Sequence, residues 1–236
     1  MTFNPPVFIT YRDRFTMLER CVASLVRHGL TNITVIDNDS EEPIDDTRRV
    51  LPSGESVGVK VLRADNGARH LAPWAYGLVP ANDYYIVMDC DVEIDSPAYA
   101  PEVQVSVADY LRHKLETNPN VVKLGLGIRV DDLLVPSPEH LIEDYLSETF
   151  VATCPVVSGL RMAPVDTHFA MHRPGTPNWP GICGARTMFP YLCRHLPWYN
   201  AEWSAEELTY YRRTPEWART HNAESALSTK STRSAP

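Results

Sequence analysis

Long apolar runs are missing from this 236-residue chain; nowhere do ~18 apolar residues follow one another, so a membrane-spanning helix is not expected. Met1 opens onto a polar turn and a short apolar strand, without a basic segment and apolar core, so a secretory leader is not expected either. Paired cysteines are also missing. Cys21, Cys90, Cys154, Cys183 and Cys193 are odd in number and scattered without a CxxC spacing, which argues against a disulfide framework and a zinc site. A reducing cytoplasm is the expected location. Basic residues are few: 22 Lys and Arg face 30 Asp and Glu, a net charge of −8, so the chain as a whole has no electrostatic footprint for nucleic-acid phosphates. Neither GxGxxG nor GxxxxGK[ST] occurs, which removes the dinucleotide and P-loop signatures, and there is no internal repeat.

What is present is ordinary globular composition, 44% apolar and 22% charged. The final stretch, 218–236, carries Arg219, Lys230 and Arg233 against Glu224 alone and is rich in Ser, Thr and Ala, so it reads as a disordered tail on an acidic body. Residues 1–217 then form one catalytic-sized domain. Within it, Val7-Phe8-Ile9-Thr10 reads as a buried strand after Pro5-Pro6. Phe15, Leu18, Cys21, Val22, Leu25 and Val26 follow at helical spacing, with Gly29 where a left-handed closing residue is wanted. Strands are expected again at 33–36, 58–62 and 84–88, with a helix through Leu71, Trp74, Ala75 and Leu78 before the last of these. A helix containing Val107, Tyr110 and Leu111 should end near Asn118-Pro119, followed by a strand over 121–126. Eleven of the 20 prolines lie from Pro136 onward, where only loops, strands and a short helix over 205–213 can be placed. Strands alternating with helices specify an α/β fold with a mostly parallel sheet, whose ligands bind outside the carboxyl ends of the strands.

Those ends carry the polar residues of interest. Asp89-Cys90-Asp91 follows the apolar run 84–88, so both carboxylates can turn into the strand-end crevice, where hard oxygen donors suit Mg²⁺ or Mn²⁺ bridging to a diphosphate. The alternative is a solvated acidic turn. Asp37-Asn38-Asp39 ends the second strand, where an acidic residue accepts hydrogen bonds from a ribose or base; a local turn cap is the alternative. Thr10-Tyr11-Arg12-Asp13-Arg14 ends the first strand and offers an aromatic face and cationic donors, while Asp13 reads as a helix cap.

In this order the residues resemble a GT-A-type glycosyltransferase of the family-2-like group. The resemblance is carried by residues 8–14, by Val35-Ile36-Asp37-Asn38-Asp39-Ser40, by Asn66-Gly67 and by Val87-Met88-Asp89-Cys90-Asp91, and it covers about the first 95 residues. It implies a Rossmann-like sandwich with a nucleotide-sugar half over 1–95 and an irregular acceptor-side half over 96–217. Thr10, Tyr11, Arg12, Asp37 and Asn66 are implied to line the nucleotide pocket. Asp89 and Asp91 are implied to serve the ribose, the diphosphate and a Mn²⁺ or Mg²⁺ ion, with Asp91 the more direct ligand. A later histidine often completes such a site; of His168, His172 and His195 we take His195, within Arg194-His195-Leu196-Pro197-Trp198-Tyr199. The chain departs from the group in lacking a clear Glu-Asp dyad followed by QxxRW. Asp166, with Thr167 and His168 after it, is taken as the base that deprotonates the acceptor, and Glu206 as second choice.

The expected reaction moves a sugar from a nucleoside diphosphate sugar, with uridine as the base, to an acceptor hydroxyl with inversion. A saccharide or small-molecule acceptor is favoured, and modified DNA is admitted by the fold. Two other readings stand beside it: a nucleotide-sugar-binding module without turnover, and a haloacid-dehalogenase-like phosphatase built on Asp89-Cys90-Asp91-Val92. The second is opposed by Glu93, which stands where that motif carries Thr or Val, and by the βα units that precede it.

Overall fold

The structure is a computed structural model that describes residues 3–44, 58–95, 105–133, 150–165, 168–176 and 184–199. Its first strand, β1 (Val7–Tyr11), is buried along its whole length, as expected of a run of apolar residues that leaves Pro5-Pro6. The chain turns through Asp13, at φ +51°, into helix α1 (Phe15–Arg27), which buries Leu18, Cys21, Val22 and Leu25. The close of α1 follows from Gly29. At φ +77° it lets its own N–H reach Val26 O at 2.9 Å and the next N–H, of Leu30, reach Leu25 O at 3.0 Å. This is a Schellman closure, which glycine adopts without steric cost.

Strands β2 (Ile33–Asn38) and β3 (Lys60–Ala64) come next, then helix α2 (Ala72–Ala75), shorter than the periodicity of Leu71, Trp74 and Leu78 predicts. Gly77 explains the difference. It stands at φ +65°, its N–H bonds Trp74 O and that of Leu78 bonds Pro73 O, so the helix is closed after one turn by the same device as α1. Strands β4 (Tyr85–Asp89) and β5 (Val92–Ile94) flank the acidic turn. Helix α3 (Val107–Thr117) is capped by Ser106, whose hydroxyl accepts the Asp109 N–H at 3.1 Å. Then follow β6 (Lys123–Gly125), β7 (Gly127–Ile128), β8 (Val156–Val157), β9 (Leu160–Arg161), β10 (Ala170–His172), β11 (Gly184–Arg186) and β12 (Leu192–His195). The helix expected over 205–213, like the tail at 218–236, lies outside the described residues.

Among the described residues, nine strands form the central sheet in the order β3-β2-β1-β4-β10-β6-β11-β9-β8. The half β3-β2-β1-β4 is parallel throughout; β10 then inserts antiparallel between β4 and β6, and the rest is mixed. Among the same residues a second sheet runs β5-β12-β7. Side chains alternate across the parallel half. Val7 and Ile9 of β1 and Ile86 and Met88 of β4 join α1 and α3 in the larger core, whereas Phe8, Tyr85 and Val87 pack with Ala72 of α2 on the other face. Each fully buried aliphatic side chain contributes about 1.5–3 kcal/mol through loss of water contact. The fold is a Rossmann-like α/β sheet extended by a mixed half. Among the described residues no helix is long and apolar enough to cross a membrane.

Candidate active site

The strand ends of the parallel half come together because β1 pairs with both β2 and β4. Their registers set Tyr11 opposite Asp37 and Thr10 opposite Asp89. Thr10 and Asp89 therefore share the α2 face of the sheet, and the Thr10 hydroxyl donates to Asp89 Oδ1 at 2.6 Å. Tyr11 and Asp37 point to the opposite face. Tyr11 is only 3% exposed and packs in the larger core, where burial raises its phenol pKa, helped by Cys90 and Asp37.

The Asp37 carboxylate is buried and receives the Ser40 N–H at 2.9 Å and the Ile44 N–H at 3.4 Å, with Arg63 Nη1 at 3.9 Å. It thus shapes the loop after β2, the local capping alternative read from its sequence. Asp13 ties the neighbouring loop to it: its N–H donates to Ser40 Oγ, and its carboxylate accepts the Glu41 N–H at 2.7 Å. Asp13 and Asp39 both hold positive φ, so two non-glycine residues in left-handed backbone stand at this rim. Arg12 lies mostly covered beside Asp13, and Asn66 is half-buried in the turn after β3.

Beyond β4 the chain turns through Cys90 and Asp91 into β5. Antiparallel pairing of β5 with β12 places His195 opposite Val92, and the Leu196 N–H bonds Asp91 O at 2.8 Å. This pairing brings His195 to Asp91, with Nε2 at 3.5 Å from Oδ2 and the ring edge-on to Trp198 at 4.9 Å. Arg14 Nη1 meets the same Oδ2 at 2.5 Å. Burial alone would raise the Asp91 pKa, but His195 and Arg14 outweigh it and hold the carboxyl well below its ordinary range.

The other histidines stand elsewhere. His168 is buried with Nε2 at 3.1 Å from Leu126 O, and burial with the neighbouring Arg186 pushes its pKa down. His172 stacks on Tyr85 inside the smaller core. The neighbouring thiols Cys21 and Cys90 are buried, and burial pushes both upward, so neither is a nucleophile. Asp166 and Glu206 lie outside the described residues.

Sequence reading did not assign Arg14 a partner. The signal was its position at the junction of β1 and α1, which in a parallel sheet lies over the end of the neighbouring strand. A second cluster also escaped it. Asp95 receives Arg129 Nη1 at 2.8 Å and Arg194 Nε at 3.2 Å, and Arg194 Nη2 reaches Asp132 at 2.5 Å. Tyr199 donates to the same Asp132 at 2.8 Å. These bonds pin β12 and the turn after it beside Asp91.

The donor set suits a divalent ion with few protein ligands. Asp91 offers a carboxylate oxygen and His195 an imidazole nitrogen on one side of the turn, both acceptable to Mn²⁺. Among the described residues there is no cluster of three or more His, Cys, Asp or Glu donors. Ions that work on diphosphates are commonly held in that way, by one or two side chains plus phosphate oxygens rather than by an all-protein cage.

No family model and no curated protein matches the chain. Among solved structures, it is similar to GalNAc-T7 with UDP, GalNAc and Mn²⁺, at 14% identity and a TM-score of 0.47, over 94% of this chain and 55% of that one. It is similar to a mannosyltransferase from Pyrobaculum calidifontis in complex with GDP-Man and Mn²⁺, at 14% identity and a TM-score of 0.46, over 96% of this chain and 65% of that one. A putative glucose-1-phosphate thymidylyltransferase from Bacillus anthracis matches at 12% identity and a TM-score of 0.44, over 86% of this chain and 98% of that one. The chain thus spans under two thirds of GalNAc-T7 and of the mannosyltransferase, and the likenesses concern the path of the chain alone.

Proposed function

We propose that this protein transfers a sugar from a nucleoside diphosphate sugar to an acceptor hydroxyl with the help of Mn²⁺ or Mg²⁺, in the manner of the GT-A-type group its motifs resemble. The observation that carries the reading is the meeting of Asp91 and His195 at the carboxyl ends of parallel strands, beside the Thr10–Asp89 pair. That is where open α/β sheets bind nucleotides. Asp91 and His195 would hold the ion, which when bound neutralises the charge that develops on the leaving diphosphate. Asp89, fixed by Thr10, orients the ribose. Asp37 shapes the wall of the base pocket through the loop it caps, with Tyr11 packed behind it and Arg12 and Asn66 at its rim. Uridine is the base. Asp166 deprotonates the acceptor from the face away from the diphosphate, so that the product is inverted, with Glu206 second in this role. The acceptor is a saccharide or small-molecule hydroxyl, and the protein works in the cytoplasm.

The test is a panel of nucleoside diphosphate sugars and hydroxyl acceptors, with release of nucleoside diphosphate followed with and without Mn²⁺. Release from a UDP-sugar that requires Mn²⁺ supports the reading. Tight binding without any release supports a binding module, and phosphate release that vanadate inhibits supports a phosphatase.

A further inference from the structure

A divalent ion and a guanidinium compete here for one carboxylate oxygen. Arg14 Nη1 lies 2.5 Å from Asp91 Oδ2, both side chains are buried, and the His195 imidazole approaches that same oxygen at 3.5 Å. An ion held by Asp91 and His195 comes close to the Arg14 guanidinium, and two positive charges so near one another repel strongly where little water screens them. We propose that Arg14 is a resident cation that keeps free metal ions off Asp91, and that it turns onto the diphosphate of the incoming donor so that metal and nucleotide enter together. The inference rests on the metal-site reading given above.

The local structure favours movement of the side chain over movement of the backbone. Asp13 fixes the turn into α1, and Leu18 N–H bonds Arg14 O at 3.0 Å, so the backbone of Arg14 belongs to the first turn of a 13-residue helix. Its side chain makes no cap bond to that helix. The planar fork of a guanidinium matches two phosphate oxygens as well as it matches a carboxylate, so a diphosphate gives it an equivalent partner. The first turn of α1 carries no acidic residue, and its positive dipole end adds to the preference for phosphate over a second cation. Metal without nucleotide finds Asp91 neutralised. Metal with nucleotide finds enough negative charge for both cations. Linkage makes this coupling reciprocal, so Mn²⁺ tightens UDP by the factor by which UDP tightens Mn²⁺.

The experiment is a titration of the full chain with MnCl₂, free Mn²⁺ being read from its electron paramagnetic resonance signal, with and without UDP. Wild type, Arg14→Gln, Arg14→Lys and Asp91→Asn are compared, with Arg14→Met replacing the glutamine variant if that one does not fold. Wild type is expected to bind Mn²⁺ weakly alone and about tenfold or more tighter with UDP. In Arg14→Gln, Mn²⁺ alone should bind about tenfold tighter than in wild type, and most of the UDP effect should disappear. Arg14→Lys retains a cation and should restore weak binding of the metal alone. If Arg14→Gln binds Mn²⁺ alone no better than wild type, while Asp91→Asn abolishes binding, the role of Arg14 is overturned and the metal site stands. If Asp91→Asn binds Mn²⁺ with UDP as wild type does, the metal site itself is wrong.

Discussion

Asp91 Oδ2 is shared by a guanidinium and an imidazole, so substitutions at this residue act on stability as well as on the site. Asp91→Asn keeps the shape but removes the negative charge that Arg14 Nη1 meets at 2.5 Å, and loss of one partner of a buried pair costs roughly 3 kcal/mol. The variant should therefore melt at lower temperature, seen by calorimetry, and lose Mn²⁺-dependent donor turnover at temperatures where it remains folded. An unchanged melting temperature would show that Arg14 finds another anion. Thr10→Val tests the neighbouring carboxylate. It removes the 2.6 Å bond to Asp89 without changing volume, and leaves Asp89 short of one donor. A stability loss of about 1–2 kcal/mol and UDP binding weakened about threefold to tenfold are expected, by denaturant titration and calorimetry.

At the scale of elements, β10 decides both a pH response and what local sequence could reveal. It inserts between β4 and β6 and sets His172 opposite Tyr85 and Lys123. The imidazole stacks on Tyr85 at 5.0 Å, meets Trp74 edge-on and is 1% exposed; burial, aided by Lys123, pushes its pKa from 6.5 down to about 3. As pH falls below 6.5, the unfolded chain takes up this proton and the folded protein does not, so stability falls until about pH 3. His172→Phe should reduce the slope of melting temperature against pH in that window, so the variant gains on wild type as pH drops. Equal slopes would contradict the burial account.

The parallel half was legible from local pattern: residues 7–10, 33–36 and 84–88 have the length and apolar content of buried strands, and Gly29 marked the end of α1. Strands of two to four residues such as β10, β11 and β12 give no readable alternation, and their partners lie far away in sequence. The motif at 89–91 was readable for the same reason as β4. Its meeting with His195 depends on the β5–β12 pairing, which no local period encodes; a resemblance suggested it. Tyr11 and Asp37 stand at the ends of the apolar runs that make β1 and β2, but their register on the face toward α1 is not visible in residue types.

For the whole molecule, the two sheets meet at the acidic turn: β4 belongs to one and β5 to the other, and Asp91 lies between them. A ligand there should slow amide exchange in both sheets at once. With Mn²⁺ and UDP, protection is expected at 10–14, 37–41, 89–95 and 192–196. Protection confined to 105–133 would place the nucleotide elsewhere. The metal site is tested most directly by electron spin echo modulation of Mn²⁺ bound with UDP to the full chain. With Asp91 and His195 holding the ion, ¹⁴N coupling from one imidazole is expected, lost in His195→Gln while the UDP-bound Mn²⁺ remains. A spectrum without imidazole coupling in the wild type, or one unchanged by His195→Gln, would contradict it.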